Sequence, residues 1–448
     1  MNYARAFVPK ELPKHSSLPL VGDTLSFLQD PDGFLLRCAR ELGEVFVIKF
    51  LGDDVACFVG PDAFHFFLDE ENFEREGASP PSVVEIMGKD AVPFLDGEAR
   101  ARRKALLMRV FEDDALESYA RIAERVVTRH ARKWAELRAF SWVPAITTMG
   151  MTVAAALFIG ADPDEDHPET EQAFLTAFNG MLSLPLKLPF TQFGHALRER
   201  DFLHGRIAEA LAAHKKKPKD DTLGRLISAR TQAGESLSDD EIRTEAFHFF
   251  GAYVVVVGAI AFEAMFLGLN DDVKKNLRAE IQEKLGSGPL TYARLHELPY
   301  LERVSKEARR ARTVLPVTVF ARAKKDCELN GIRIPRGMKA VGCIGATLQH
   351  ERVYPDPKRF DPDRWGRADD RAERAWVPHG GGVHLDGHRC AGERLAELML
   401  KTFAAVVLRD YDFEFVRGQD FTPTTGKLFA TPRGGLDVRF RRLRDDER

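Results

Sequence analysis

The sequence of 448 residues lacks most of the features that mark secreted, membrane-spanning or nucleic-acid-binding proteins. It has five cysteines, an odd number scattered along the chain, which does not suit a disulfide framework and fits a reducing compartment. The formal net charge is only -3, so the chain offers no reason to expect nucleic acid as a partner. Residues 1–17 carry charges and prolines without an apolar segment, which argues against a signal peptide or a membrane anchor. We therefore expect a cytoplasmic protein.

The chain also has no internal repeat, no low-complexity tract and no clean linker, so we expect a single domain over residues 1–448. Hydrophobic residues make up 44% of it, enough for a large core. The patterns predict a helix over residues 31–42 and a β-hairpin that turns at Gly52-Asp53-Asp54. They predict mostly helix from residue 100 to 310, and a further hairpin turn at Asn330-Gly331. The predicted fold class is mainly α with small β-sheets.

The most apolar stretch is residues 246–269, which is long enough to span a membrane. It contains His248 and Glu263, and charged helical segments flank it on both sides. The four valines at positions 254–257 could also form a buried strand, but the length of the stretch favours a helix. We predict a buried central helix.

A glycine-rich loop at residues 377–393 contains a single cysteine, Cys390, directly before an apolar pattern of helical spacing. The pattern predicts a helix over residues 391–408. At a helix N-terminus the free N–H groups and the positive end of the dipole favour a thiolate, and His388 and Arg389 add positive charge. These features suit a thiolate that binds heme iron as an axial ligand, which favours O–O bond cleavage.

Three other interpretations fit this loop when it is considered by itself. His384, His388 and Cys390 could bind zinc, although so crowded a set lacks the distant pair of ligands that a structural zinc site has. The segment that begins at His379, with three glycines after it, is similar to the oxyanion loop of some esterases. The chain has no Gly-x-Ser-x-Gly motif to supply a nucleophile for such a loop. Cys390 could also be a buried small apolar residue, as most free cysteines are.

Two segments before the loop give it a context. Glu307 and Arg310 lie three residues apart in a predicted helix, where a carboxylate and a guanidinium can pair. Residues 354–365 read Tyr-Pro-Asp-Pro-Lys-Arg-Phe-Asp-Pro-Asp-Arg-Trp, and the cysteine loop follows. Together these motifs resemble the cytochrome P450 superfamily, and the resemblance covers nearly the whole chain. It implies a helix-rich lobe and a β-rich lobe around one heme b, with Glu307, Arg310 and Arg364 in a buried network that supports the heme loop.

The resemblance is divided between two branches of the superfamily. The front and middle of the chain, including residues 178–186, are similar to the branch that hydroxylates retinoids and sterols. In that branch the cysteine follows the glycine run by four residues, whereas here Cys390 lies eight residues after Gly382. The longer spacing, together with the sequence Gly-His-Arg-Cys-Ala-Gly-Glu, resembles the fatty-acid peroxygenase branch.

Residue by residue, the resemblance implies that Cys390 is the iron ligand and that four cationic side chains bind the heme propionates. These are Arg100, Lys104, Arg322 and His388. Cationic donors suit that task because two buried carboxylates need partners. The resemblance also implies an apolar substrate pocket, which indicates a lipophilic ligand. Its expected walls are Val92, Pro93, Phe94, Val254, Val255, Val317, Thr318, Leu428 and Phe429.

The central helix lacks the acid and the alcohol that normally deliver protons in this superfamily. Alignment on Gly251 places Val254 and Val255 at those two positions, where the peroxygenase branch has an arginine and a proline. No carboxylate, serine or threonine lies between residues 245 and 263. Tyr253 is a candidate substitute donor, although a buried tyrosine of the core is the plainer interpretation. We therefore place Val254, Val255 and Tyr253 with Cys390 among the candidate catalytic residues.

The predicted function is a heme-thiolate oxidoreductase, a monooxygenase or peroxygenase, that acts on a lipophilic fatty acyl, terpenoid or polyketide-like molecule. The missing acid–alcohol pair predicts atypical activation of dioxygen or peroxide. The partner is then a ferredoxin or flavoprotein reductase, or hydrogen peroxide in its place. Two alternatives remain: a redox-neutral isomerase, lyase or dehydratase of a peroxide-like substrate, and a non-catalytic heme-binding protein.

Overall fold

The computed structural model describes residues 10–16, 22–427 and 429–444. Helices dominate these ranges. The α-helices are α1 (Thr24–Gln29), α2 (Pro31–Leu42), α3 (Pro61–Phe67), α4 (Pro81–Met87), α5 (Gly97–Met108), α6 (Asp113–Leu137), α7 (Trp142–Ile159), α8 (Pro168–Asn179), α9 (Gln192–Lys216), α10 (Thr222–Ser228), α11 (Asp239–Leu269), α12 (Asp271–Lys284), α13 (Tyr292–Leu295), α14 (Pro299–Ala311), α15 (Ile344–Leu348), α16 (Asp370–Arg374) and α17 (Glu393–Asp410). Short 3-10 helices cover Val92–Phe94, Arg109–Phe111, Gly180–Leu182 and Pro362–Gly366.

The strands come from both ends of the chain and form small sheets. They are β1 (Val45–Phe50), β2 (Asp53–Phe58), β3 (Phe73–Glu74), β4 (Ala139–Ser141), β5 (Ala321–Ala323), β6 (Cys327–Leu329), β7 (Ile332–Ile334), β8 (Lys339–Gly342), β9 (Tyr411–Phe415) and β10 (Asp437–Arg442). The five-stranded sheet has the order β1-β2-β8-β5-β3, and β2 and β8 run parallel in it. The other sheets have the orders β4-β10-β9 and β6-β7.

The hydrophobic core follows the same division. One large cluster joins the helices, and separate smaller clusters pack against the five-stranded sheet. This confirms the predicted fold class, mainly α with small sheets, with a helix-rich and a β-rich part.

Caps and turn residues explain why α2 and the two hairpins were predicted at or near their observed positions. Helix α2 begins at Pro31, and the Asp30 side chain caps it by accepting the N–H of Gly33 (3.1 Å). Asn330 and Gly331 both have positive φ, 51° and 80°, as the turn between β6 and β7 requires. The first hairpin turns one residue earlier than predicted, at Leu51 and Gly52, so that Asp53 pairs with Phe50 inside the sheet.

The stretch at residues 246–269 lies inside α11, which a capping box of Ser238 and Glu241 begins. Helices α7 and α11 are both long and apolar enough to cross a membrane, but 72% and 56% of their apolar windows are buried inside the protein. Two glycines let α11 pack closely. A Cβ at Gly251 would lie 2.0 Å from the Phe178 ring, and one at Gly258 would lie 3.0 Å from Val314. The prediction of a buried central helix is confirmed.

Candidate active site around Cys390

The cysteine loop closes on itself just before α17. Cys390 donates its backbone N–H to the carbonyl oxygen of His379 (3.0 Å), which ties the two ends of the loop together. The N–H of Gly392 donates to the Cys390 sulfur. Helix α17 begins at Glu393 with Gly392 as its N-cap, slightly later than predicted. The sulfur therefore lies before the helix and accepts an N–H from its cap residue.

Cys390 is exposed, although burial among protein atoms is the largest cause that raises the pKa of its thiol. We infer from these two observations that the sulfur lies on the wall of an open space inside the protein, which we call the cleft. Desolvation here outweighs the N–H of Gly392 and the charges of Lys104 and Arg389, all of which lower the pKa. Contrary to expectation, the helix N-terminus and the neighbouring positive charges together do not lower the pKa of this thiol.

Helix α5 presents two buried cations to this loop. Arg100 donates one guanidinium N–H to the carbonyl oxygen of Asp386 (2.6 Å) and another to the carboxylate of Glu70 (2.7 Å). Lys104 donates to the carbonyl oxygen of Arg389 (2.7 Å). Burial, followed by the charge of Arg100, lowers the pKa of Lys104 to about 8. The sequence predicted both cations at this place.

The other two residues predicted to bind the propionates, His388 and Arg322, lie in the cysteine loop and in the five-stranded sheet. His388 lies with Nε2 3.5 Å from the carboxylate of Asp96, and burial lowers its pKa although Asp96 opposes this. Arg322, in β5, donates to the carbonyl oxygen of Glu76 (3.2 Å). Arg100 and Arg322 each retain a buried Nε that has no partner among the described residues.

Three charged residues of this cluster were missed from the sequence: Glu70, Arg75 and Asp96. Burial lowers the pKa of Arg75 to about 10, and its guanidinium lies 4.4 Å above the ring of Phe67. Asp96 accepts the backbone N–H of Arg75 (2.7 Å). These contacts join α5 to the chain around β3 across distant parts of the sequence, so no spacing rule could have found them.

Glu307 and Arg310 form a fully buried pair on α14. Arg310 donates from Nε and Nη2 to the two carboxylate oxygens of Glu307, both at 2.8 Å. Arg364 lies 3.4 Å from the same carboxylate. Glu307 also accepts the indole N–H of Trp365 (3.1 Å) and the backbone N–H of Asp361 (3.0 Å). The structure brings together the three residues that were expected to meet.

Arg309, next to this pair, makes a contact that the sequence did not indicate. Its Nη1 donates to Nε2 of His379 (3.0 Å), the residue whose carbonyl oxygen accepts the N–H of Cys390. Burial, followed by the charge of Arg309, lowers the pKa of His379 to about 3, so this ring is neutral and can accept the bond. Helix α14 thus contacts the cysteine loop directly through Arg309.

One face of α11 is accessible along its length. His248, Ala252, Val255 and Ala259 are exposed or half-buried, whereas residues 256–258 are buried. Their spacing places these four residues on one side of the helix, which we call the α11 stripe. Val255 lies on this stripe, and Val254 is turned into the core. The accessible face of α11 is therefore apolar at the position of the expected alcohol.

Tyr253 lies off the α11 stripe. Its side chain is 2% exposed, and its ring packs edge-on against Phe158 with 5.7 Å between the centroids. Its hydroxyl has no partner among the described residues. The structure thus places Tyr253 in the core, away from Val255, where it cannot donate to a molecule in the cleft.

Three of the predicted pocket walls border the helix-rich core. Val92, Pro93 and Phe94 form a 3-10 turn, and the N–H of Val92 donates to Glu245 of α11 (3.0 Å). Phe429 lies 6.5 Å from Phe178, ring to ring. Leu428, also predicted, lies outside the described residues.

Val317 and Thr318 turn toward the sheet instead. Val317 packs against the cluster of β1 and β2, and Thr318 exchanges hydrogen bonds with Gly342 of β8 (2.9 and 3.0 Å). Val314, three residues earlier, contacts α11 at Gly258 and was missed. The backbone pairing with β8 explains the difference, because it fixes which way this segment faces.

The zinc interpretation of the loop receives no support. Among the described residues no group of three or more His, Cys, Asp or Glu side chains could hold a metal ion. His384 lies 3.5 Å from the carboxylate of Glu393, and His388 lies beside Asp96. The two histidines therefore have separate partners.

Comparison with known proteins decides the family. The family model described as Cytochrome P450 matches residues 12–440. The chain belongs to the cytochrome P450 family. The superfamily predicted from the sequence is thereby confirmed.

Similar P450 proteins cover nearly the whole chain. The putative cytochrome P450 120 of Synechocystis sp. is 29% identical over 94% of this chain and 93% of its own length. Cytochrome P450 26A1 of Gallus gallus is 28% identical over 96% and 89%. The solved structure of retinoic acid bound cyanobacterial CYP120A1 has a TM-score of 0.88 and 28% identity, and the alignment covers 97% of this chain and 100% of that one.

The P450 family implies a heme cofactor, and the residues around Cys390 fit one. The cysteine sulfur is accessible from the cleft although protein surrounds it. The partnerless Nε groups of Arg100 and Arg322 are suited to carboxylates such as the heme propionates. A bound metal ion would favour deprotonation of this thiol, whose pKa burial raises.

Proposed function

We propose that this P450 is a heme b-dependent oxidoreductase that acts on a lipophilic small molecule and uses hydrogen peroxide as its oxidant. In this proposal Cys390 binds the iron, and Arg100, Lys104, Arg322 and His388 pair with the propionates. The bound heme supplies the oxidising chemistry. Glu307, Arg310 and Arg364 hold the segment that supports the cysteine loop.

The observation that carries the choice of oxidant is the position of Val255 on the α11 stripe. In this proposal Val255 faces the cleft. Its neighbours on the stripe, Ala252 and Ala259, are also apolar, and the one polar member, His248, lies two helical turns away. Neither the valine nor the alanines can hold or move a proton. General acid–base catalysis typically contributes a factor of about 10²–10⁴, so dioxygen use without it should be slow. Hydrogen peroxide brings the two electrons and two protons that dioxygen would have to acquire.

The walls of the cleft support a lipophilic substrate of the fatty acyl, terpenoid or polyketide-like class. Phe178 packs against α11 at Gly251, and Phe429 lies 6.5 Å from Phe178. The turn that contains Phe94 is joined to α11 by the hydrogen bond from Val92 to Glu245. An apolar cavity of this kind binds mainly through burial of hydrocarbon surface. One similar protein was solved with retinoic acid bound, a ligand of the same general character. We also propose that the protein works in the cytoplasm.

The apolar stripe also favours a second candidate, a redox-neutral isomerase, lyase or dehydratase of a peroxide-like substrate. Such a reaction needs no reductase and no net supply of protons, so the absence of an acid and an alcohol is no obstacle. A non-catalytic heme protein is less favoured, because the network around Glu307 and the cation cluster near Cys390 are both complete in the described residues.

Parallel turnover assays separate these functions. The purified holoprotein is incubated with a panel of fatty acids, terpenoids and polyketides, together with one of three reagents. These are hydrogen peroxide, NADPH with ferredoxin and its reductase in air, or an organic hydroperoxide alone. We expect oxygenated product only with hydrogen peroxide, and catalase should suppress it. Product only with the reductase would contradict the proposed oxidant, and rearranged hydroperoxide would support the second candidate.

A further inference from the structure

The α11 stripe carries one polar side chain, His248, two helical turns before Val255. Seven residues of an α-helix turn through about 700° and rise about 10.5 Å, so the two side chains point in nearly the same direction. The His248 side chain is 17% exposed. An imidazole therefore borders the otherwise apolar wall, about 10 Å from Val255.

Glu245 fixes the orientation of this imidazole. Its carboxylate is fully buried, and one oxygen lies 3.0 Å from Nδ1 of His248. The other oxygen accepts one hydrogen bond from Nη1 of Arg103 (2.7 Å) and one from the backbone N–H of Val92 (3.0 Å). A carboxylate can only accept hydrogen bonds, so Nδ1 must carry the hydrogen. In the neutral ring Nε2 is then left as an acceptor.

Arginines of α5 hold Glu245 in place. Arg103 binds both Glu241 and Glu245 at 2.7 Å, and Arg102 binds Glu241 at 2.8 Å and Glu235 at 3.7 Å. This network fixes the Glu245 carboxylate and, through it, the direction of the His248 ring.

Nε2 of His248 has no hydrogen-bond partner in the described part of the chain. A half-buried acceptor on an apolar wall is unsatisfied until a ligand or water reaches it, and ligand sites commonly have a few such groups in hydrocarbon surroundings. A substrate carboxylate is an acceptor as well, so it would not pair with the neutral Nε2. A hydroxyl group would pair with Nε2, because a hydroxyl can donate a hydrogen bond.

We propose that His248 is a specificity-determining residue, whose Nε2 accepts a hydrogen bond from a hydroxyl group of the lipophilic substrate. The hydroxyl lies about 10 Å from the part of the substrate that contacts Val255. Glu245 acts through His248 and is a positioning residue. This inference rests on the proposed function, because it names a feature of the substrate of that cleft.

The test compares alcohols with their methyl ethers, which keep the shape but cannot donate. Dodecanol and farnesol, each with its ether, are titrated into the holoprotein by calorimetry at pH 8, where imidazoles are ordinarily neutral. We expect the alcohol to bind about 3- to 10-fold more tightly than the ether, the size of one hydrogen bond. His248→Phe should remove this preference, and His248→Gln, which keeps an acceptor, should retain part of it.

His204→Phe is the matched control. This imidazole stacks on Phe247 of α11 at 4.7 Å, on a buried face beside the stripe, so its loss should leave the alcohol preference unchanged. Equal binding of alcohol and ether by the native protein, or a preference that survives His248→Phe, overturns the inference. Turnover with peroxide in the same preparation would show that the proposed function stands even when the inference about His248 is wrong. No binding of either ligand and no product with any oxidant would overturn both.

Discussion

Replacing Glu307 by alanine should destabilise the protein by about 3–5 kcal/mol, because it leaves a buried cation without its counter-charge. Glu307 and Arg310 have no exposed side-chain surface, and two hydrogen bonds of 2.8 Å join them. After the substitution the guanidinium keeps backbone carbonyl oxygens as acceptors but has no carboxylate bonded to it. Trp365 and the N–H of Asp361 lose an acceptor as well, which places the expected loss in the upper half of that range.

The free energy of unfolding is measured by urea titration with far-ultraviolet circular dichroism, and the heme-to-protein ratio is recorded beside it. Glu112→Ala is the matched control, because Arg109 and Glu112 have the same spacing and lie 2.6 Å apart but are half-exposed. Loss of this exposed ion pair should lower the free energy of unfolding by only about 0.2–1 kcal/mol. Glu307→Ala combined with Arg310→Met should recover part of the stability, since the fully buried guanidinium is then removed as well. If Glu307→Ala cost no more than Glu112→Ala, the reasoning about burial would be refuted.

The remaining predictions concern the cleft and its thiol. Val255→Thr should raise turnover with NADPH and a reductase about tenfold or more, since it restores a hydroxyl to the stripe, whereas Val256→Thr, at a buried position, should not. An unchanged rate for Val255→Thr would show that the apolar wall does not limit dioxygen use. Cys390→Ser should abolish both product and the thiolate-type spectrum of the reduced, carbon-monoxide-bound protein, and Cys327→Ser should leave both intact. In heme-free protein at pH 8, iodoacetamide should alkylate Cys390 more slowly than a cysteine in unfolded chain, because burial raises its pKa and leaves less thiolate. Mass spectrometry follows this reaction, and alkylation as fast as in unfolded chain would contradict that direction of shift.

The elements that could be predicted from the sequence are those with a local cause. The turn at Asn330-Gly331 follows from two residues that tolerate positive φ, and α2 begins where Asp30 and Pro31 specify a cap and a first turn. The pair of Glu307 and Arg310 is likewise local, since a spacing of three residues brings the two side chains together on any helix.

The parts that could not be predicted depend on contacts between distant segments. Val317 and Thr318 were expected in the pocket, but hydrogen bonds to Gly342 of β8 turn their segment toward the sheet. The helix N-terminus and the neighbouring charges suggested a thiolate at Cys390, whereas the extent of burial, which the sequence does not reveal, raises the pKa of its thiol. The contact between Arg309 and His379 joins residues far apart in the chain, and neither has a motif that marks it.

Helix α5 connects the two sides of the cleft through consecutive residues. Neighbouring positions on a helix point about 100° apart, so adjacent side chains reach different partners. Arg103 binds Glu245 of α11 at 2.7 Å, and Lys104 binds the carbonyl oxygen of Arg389 at 2.7 Å, one residue before Cys390. The carboxylate that orients His248 and the loop that holds the sulfur are therefore anchored to a single turn of α5. Because the contact with Glu245 is buried and the contact with Arg389 is half-buried, a displacement of α5 would move both the carboxylate that orients His248 and the loop that holds the thiol.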